Sequence, residues 1–390
     1  MSRAGKAGPV LPRPVLLSLG ARPFFVLAGL WAVAAVALWP LVLGGRLLLP
    51  SGFAPVEWHA HELIFGYTGA AMAGFVLTAV ANWTGRPPVA GGRLLVLVLL
   101  WLAGRLAVAG SDLLVGIGFV ALGFPALLAV FVGHEIEASG TVRNRKVAAL
   151  LAVFALVDVV FHLSVWFGWD SRFAARGGIA VLVMLILLIG GRVTPAFTSN
   201  WLNRHMIART IPEFGQGDRV AMGLAIAALV GWVGWPDRAF LAGLDFAAGI
   251  GVLWRVSRWQ GWTIRRDALL GILHLGTLMA GCGFLAAAGH AAFPAAVPAA
   301  MTVHVWAIGA IGVMTLAMMT RATLGHTGGL LLADRATTAA YLFLLLALAA
   351  RIAMTLRPDS TGLFPLAAAA WCAGFALFVV RYAPRLISRG

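Results

Sequence analysis

Charge is scarce in this chain, and so is most of what a water-soluble domain uses to cover itself. Charged residues make up 11% of the 390 positions against 61% hydrophobic, too little polar surface to clothe a soluble core. The solvent along most of the chain is therefore lipid. Cysteine is nearly absent: Cys282 and Cys372 each fall inside an apolar run. With no CxxC spacing, no even cysteine framework and no CxxCH, a disulfide scaffold and a c-type haem attachment are both excluded. The two thiols read as core residues. Acidic residues are also few, 14 Asp and Glu against 29 Lys and Arg, for a net charge of +15. That surplus is no nucleic-acid footprint, because the basic residues are scattered singly between apolar runs rather than gathered on one stripe. They mark membrane topology.

What is abundant is apolar sequence in lengths that cross a bilayer, roughly 20 residues each. Runs bounded by charges, Gly or Pro predict helices at about 24–45, 57–80, 93–110, 113–135, 146–168, 177–195, 219–235, 239–256, 267–289, 296–320, 335–356 and 363–383. Only helices cross lipid this way without orphaned backbone groups. The expected fold is an all-α polytopic membrane protein with about 12 transmembrane helices in one bundle. Residues 1–22, with Arg3, Lys6, Arg13 and Arg22 broken by three prolines, read as a retained cytoplasmic tail. Residues 23–390 read as one twelve-helix domain, and the polar stretch Gly191–Arg219 as an inner linker between its sixth and seventh helices. With the amino terminus inside, inner segments hold 22 Lys and Arg and outer segments 7, as the positive-inside rule requires. An even number of spans returns the carboxyl terminus to the cytoplasm.

Two of the predicted helices resemble each other. Set against one another without gaps, HELIFGYTGAAMAGFVLTAVANWTG and HVWAIGAIGVMTLAMMTRATLGHTG match at His61/His304, Gly66/Gly309, Gly69/Gly312, Ala79/Ala322, Thr84/Thr327 and Gly85/Gly328. Six matches in Ala- and Gly-rich helices do not establish a duplication. They do place both histidines at a similar depth near the outer face, each followed by small residues that permit close approach.

Nine histidines occur, and depth sorts them. His59, His61, His162, His290 and His304 fall toward the outer side, whereas His134, His205, His274 and His326 fall toward the inner side. His59 and His61 are two residues apart, so on a regular helix they point about 200° apart and serve different centres. His162 follows Asp158 by one turn, which lets the carboxylate orient the imidazole. Dispersed helical histidines suit a haem or copper centre held between spans. They equally suit a water-lined path for protons or ions, and Glu62 fits either reading. Arg255, Arg258, Arg265 and Arg266 read as interfacial anchors.

Four segments carry a family likeness: LSLGARPFFVLAGLWA at 17–32, WHAHELIFGYTGAAMAGFVLTAVANWTGR at 58–86, GGRVTPAFTSNWL at 190–202 and HVWAIGAIGVMTLAMMTRATLGHTGG at 304–329. In these the chain resembles the NnrS family. The resemblance implies a multi-pass protein of the bacterial inner membrane that contains haem and copper and helps cells withstand nitric oxide, in nitrosative stress or denitrification. Its motif histidines map onto His59, His61, His304 and His326, which the resemblance makes cofactor-binding. His61 and His304 are the expected axial pair of a b-type haem. His59, His162 and His290 are then free for copper or a second haem. Reduction of NO to N2O would draw protons through Glu62 and Asp158 and electrons from a quinol or another donor. Turnover itself stays open. A histidine-lined transporter of copper, haem or a metal-nitrosyl species, and a non-catalytic haem- or NO-binding sensor, are the alternatives. Besides the lipid bilayer and nitric oxide, a second copy of the chain is a partner that the glycine-rich helices would permit.

Overall fold

A computed structural model describes residues 15–388, so Arg3, Lys6 and Arg13 of the expected basic tail lie outside the described residues. Twelve helices are long and apolar enough to cross a membrane: α1 (Ala21–Leu43), α2 (Pro55–Thr84), α3 (Gly92–Ala109), α4 (Ile117–Ala138), α5 (Val142–Phe167), α6 (Arg172–Arg204), α7 (Gln216–Gly234), α8 (Ala239–Ser257), α9 (Ala268–Ala292), α10 (Ala299–His326), α11 (Arg335–Leu356) and α12 (Leu363–Ile387). Each overlaps one predicted run, and no strand occurs among the described residues.

Local chemistry sets the helix ends. Pro55 opens α2, where its missing N–H costs nothing, and the Glu57 carboxylate turns back to accept from the Ala54 N–H at 3.0 Å. Asp267 and Asp334 cap α9 and α11 by accepting from the N–H groups of Leu270 and Thr337. At the other ends, Gly85 stops α2 with φ +68 and Gly168 stops α5 with φ +68, a left-handed conformation that a side chain would strain.

Successive helices run antiparallel between two ends. Arg22 at the start of α1 donates to the carbonyls of Leu386 and Ser388 at the end of α12, so the start of the first span and the end of the last lie together. At the far end the Asp112 N–H donates to Pro50 O, the Ser171 hydroxyl to Glu57, and His290 meets Asp237.

Burial divides the helices into two shells. The apolar stretch of α2 is 83% buried, and those of α6, α9 and α10 are 56–61% buried, against 33–39% for the other eight. Those four form the inner layer, while the rest turn an apolar face outward toward lipid. Indole N–H groups donate to backbone carbonyls of neighbouring helices: Trp101 to Gly66 O, Trp306 to Ala280 O, Trp371 to Ala32 O. Gly283 is obligatory, because a Cβ there would lie 2.1 Å from the Trp306 ring.

Three inner helices contain π-helical segments: Glu62–Tyr67 in α2, Ile186–Gly190 in α6 and Val305–Gly312 in α10. The likeness of α2 and α10 extends to conformation. His61 and His304 each sit directly before the π segment, Gly66 and Gly309 lie within it, and the matched Gly85 and Gly328 are both left-handed. The Tyr67 and Thr315 hydroxyls hydrogen-bond across the two helices.

The stretch Gly191–Arg219 differs from the expected linker. It stays helical to Arg204, through Pro195, and helix resumes at Gln216, leaving 205–215 between. Its polar residues point into the protein: Thr194 and Thr198 are fully buried, and the Thr198 hydroxyl donates to the Thr194 carbonyl and meets His274 of α9 at 2.9 Å. A polar helix face buried against another helix reads, by hydropathy alone, like a loop.

Asp334 offers a test of the caps. Partial burial works to raise its pKa, but hydrogen bonds from Thr337 and the Arg381 partner outweigh it and bring the carboxyl down to about 2. Its contribution is therefore in place above the ordinary carboxylate range and disappears as pH falls toward 2. Asp334→Ala should lower stability by about 1 kcal/mol at neutral pH, read as a lower melting temperature in detergent; an unchanged melting temperature would show the cap to be idle.

Candidate functional site

His61 is the centre of a buried chain of charges near the far end of the bundle. Its Nδ1 lies 3.1 Å from Glu62 Oε1, and its Nε2 lies 3.1 Å from Asp158 Oδ1 of α5. One nitrogen of Arg105, on α3, donates to both Glu62 oxygens at 2.7 and 2.8 Å. Beyond Asp158, the His162 Nδ1 lies 3.1 Å from the Asp158 carbonyl one turn back and 3.4 Å from Oδ1. Every member is at most 5% exposed. Arginine, two carboxylates and one imidazolium sum to no net charge, and only an imidazolium donates from both ring nitrogens.

Aromatic rings close the site. Phe53, Phe65 and Phe161 each lie 5.3 to 5.5 Å from the His61 ring, centroid to centroid. Inside this cage several buried polar atoms have no partner: Asp158 Oδ2, His162 Nε2 and Arg105 Nε. Buried polar atoms are rarely left so, and here two of them are metal-ligand atoms. One ligand atom from each of His61, Asp158 and His162 lies within 4.8 Å of the others. Bonds of about 2.1 Å to one ion in tetrahedral geometry set ligand atoms roughly 3.4 Å apart, so the side chains would have to close by up to about 1.4 Å.

A second group lies alongside. His59 stacks on Trp39 of α1 with ring centroids 4.3 Å apart, and its Nδ1 is buried without a partner. His304 and Arg351 are close enough for their charges to act on it. His304 Nδ1 lies 2.6 Å from the Ala300 carbonyl, so that nitrogen donates and the lone pair is left on Nε2. In this tautomer Nε2 is able to bind a metal.

The predicted site residues thus regroup. His61 and His304, expected to face each other, fall in different groups: His61 has both nitrogens against carboxylates, and His304 sits with His59. His162 joins His61 rather than His59. His290 stands apart, held by the Val297 carbonyl and Asp237 at 2.8 and 2.9 Å. His326 lies 22 residues beyond His304 on the same helix, about 33 Å away, so no one centre includes both. Glu62 and Asp158, expected to supply protons, are both in the His61 chain. Arg105 and Arg351 read from sequence only as topology markers, although a charge in mid-span is itself the signal of a site residue.

Residues 15–389 match the family model described as NnrS protein. The chain belongs to the NnrS family. No curated protein matches the sequence. Of the four NnrS-like segments, the one at 58–86 supplies His59, His61 and Glu62, and the one at 304–329 supplies His304. The donor set suits the metal or haem that this NnrS chain is expected to hold: imidazoles with a nitrogen to spare, and a carboxylate with a free oxygen.

The charge chain predicts its own fragility. Arg105→Met leaves Glu62 buried and uncompensated and should cost about 3–5 kcal/mol. Adding Glu62→Gln to that variant should recover most of the loss, measured by thermal unfolding of the purified protein. Equal stability of wild type and the single variant would rule out the pairing as a structural requirement.

Proposed function

We propose that this NnrS protein is a multi-pass protein of the bacterial inner membrane that holds haem b and a second metal, copper by its ligand chemistry, and handles nitric oxide with them. The arginine-rich terminal end faces the cytoplasm, and the histidine groups lie toward the periplasm, as the charge asymmetry supports. One observation carries the reading: His304 and His162 each commit Nδ1 to the carbonyl one turn back, leaving Nε2 free within an apolar bundle.

His304 and His59 would hold the haem; His61, Asp158 and His162 would hold the second metal. Those groups, when bound, supply one-electron chemistry and a coordination site for NO. The protein residues supply the rest. Arg105 fixes Glu62, Glu62 and Asp158 fix His61, and the phenylalanine cage excludes water, which strengthens each of these contacts. If NO is reduced, two NO, two electrons and two protons give N2O and water. Glu62, His61 and Asp158 are the groups placed to hold the protons, and a quinol or separate donor brings the electrons.

Spectra and metal analysis of detergent-purified protein, made in cells supplied with haem and copper, test this. Wild type should show a Soret band that moves on reduction and NO addition, together with a second metal. His304→Ala and His59→Ala should lose the band; His162→Ala should lose the second metal and keep the band; His326→Ala should keep both. Because a metal would displace the His61 proton, metal binding should release protons and weaken as pH falls. A colourless, metal-free wild type would end the proposal.

A further inference from the structure

Among the described residues no acid pairs with Arg351, which stands beside the second histidine group. It lies on α11, five residues before the end of that helix at Leu356, and is half-buried. A Cβ on Gly309 of α10 would meet Leu348 of α11 at 3.1 Å. From that contact the two antiparallel helices run outward, one to His304 and the other to Arg351, which puts these residues at about the same depth. The charge of Arg351 acts on both His304 and His59. Its side-chain hydrogen bond goes to Met354 Sδ at 2.8 Å, a weak acceptor. The buried carboxylates at this end, Glu62 and Asp158, are already engaged by Arg105, His61 and His162.

An arginine keeps its charge at every accessible pH, and a charge half removed from water inside a span calls for a partner. The chemistry around it narrows the choice. His304 has its lone pair on Nε2, and the buried Nδ1 of His59 has no partner. The group therefore offers imidazole nitrogen to a metal and, next to it, a planar fork of N–H donors to a carboxylate. A bare metal ion answers the imidazoles and is repelled by the guanidinium. A lipid phosphate answers the guanidinium and leaves the imidazoles as they are. An iron porphyrin with carboxylate side chains answers both.

We propose that Arg351 binds a carboxylate of the haem that His304 and His59 hold, an inference that rests on the haem assignment of the proposed function. The test uses the full chain, purified in detergent from haem-deprived cells and titrated with iron protoporphyrin IX or its dimethyl ester, followed at the Soret band. The ester keeps the iron and the ring and removes the negative charge. Wild type should prefer the acid over the ester about tenfold more strongly than Arg351→Met does, a difference of roughly 1.4 kcal/mol. Arg351→Lys, which restores the charge without the fork, should recover part of that preference. The ester should bind all three proteins alike, which also shows that the variants fold. The same preference in wild type and Arg351→Met would overturn the pairing and leave the haem assignment standing. So would an anionic phospholipid that copurifies with wild type and is lost from Arg351→Met while the preference stays unchanged, since lipid phosphate would then be the partner. Loss of the ester from both variants would mark Arg351 as a structural residue and overturn the pairing as well. Uptake of neither porphyrin by wild type would overturn the haem assignment and the pairing together.

Discussion

Two carboxylates sit where neither water nor lipid headgroups reach, and the surrounding architecture is built around balancing their charge. Glu62 and Asp158 are at most 1% exposed, and an isolated buried ion costs several kcal/mol. Each is compensated from a different helix, so α2, α3 and α5 are held in register by charge as well as by packing. The same demand explains Gly66. A Cβ there would meet Arg105 at 2.5 Å and the Trp31 indole at 2.9 Å, so the guanidinium reaches Glu62 only because the position is bare. The aromatic cage completes the arrangement. By excluding water it lowers the local dielectric, which tightens the paired contacts and raises the penalty for any unpaired one.

The π segments belong to the same problem. An extra residue per turn frees backbone carbonyls and rotates the later turns of the helix relative to the earlier ones. In α2 this lets His61 and Glu62 face α5 and α3 while Tyr67, one π segment later, reaches Thr315 on α10. The Gly66 carbonyl, inside the segment, accepts from Trp101. Repetition of this device after His304 indicates that a histidine at the head of a wide turn is a local solution used twice in the fold.

Much of the fold is legible in the amino acids because lipid leaves few options: an apolar run of spanning length has to be helix, and each of the twelve runs is one. The end of α6 escapes such a reading for the converse reason, since Thr194 and Thr198 look solvent-facing until His274 and α9 are placed against them. The site is half legible. Asp158 and His162 share a helix face by spacing alone, and the divergence of His59 from His61 is a matter of helical geometry; the structure sends one to Trp39 and the other to Asp158. The choice of partner across helices is not legible, because α2 and α10 resemble each other in sequence whereas contact depends on which neighbours each helix faces. Equal depth of His61 and His304 therefore suggests a pairing that the packing distributes between two groups.

That distribution has chemical content. The carboxylates Glu62 and Asp158 both lie on the His61 side, between α2, α3 and α5. On the other side His304 meets a backbone carbonyl, His59 stacks on the Trp39 ring, and the positive charge of Arg351 acts on them from α11. Groups that hold and release protons are thus confined to one side, and the other offers uncommitted imidazole beside a cation. An anionic ligand or a cofactor carboxylate is complementary to the second side and repelled by the first. Since His59 and His61 are two residues apart, the two environments meet within a single turn of α2, where any charge arriving at one is felt by the other.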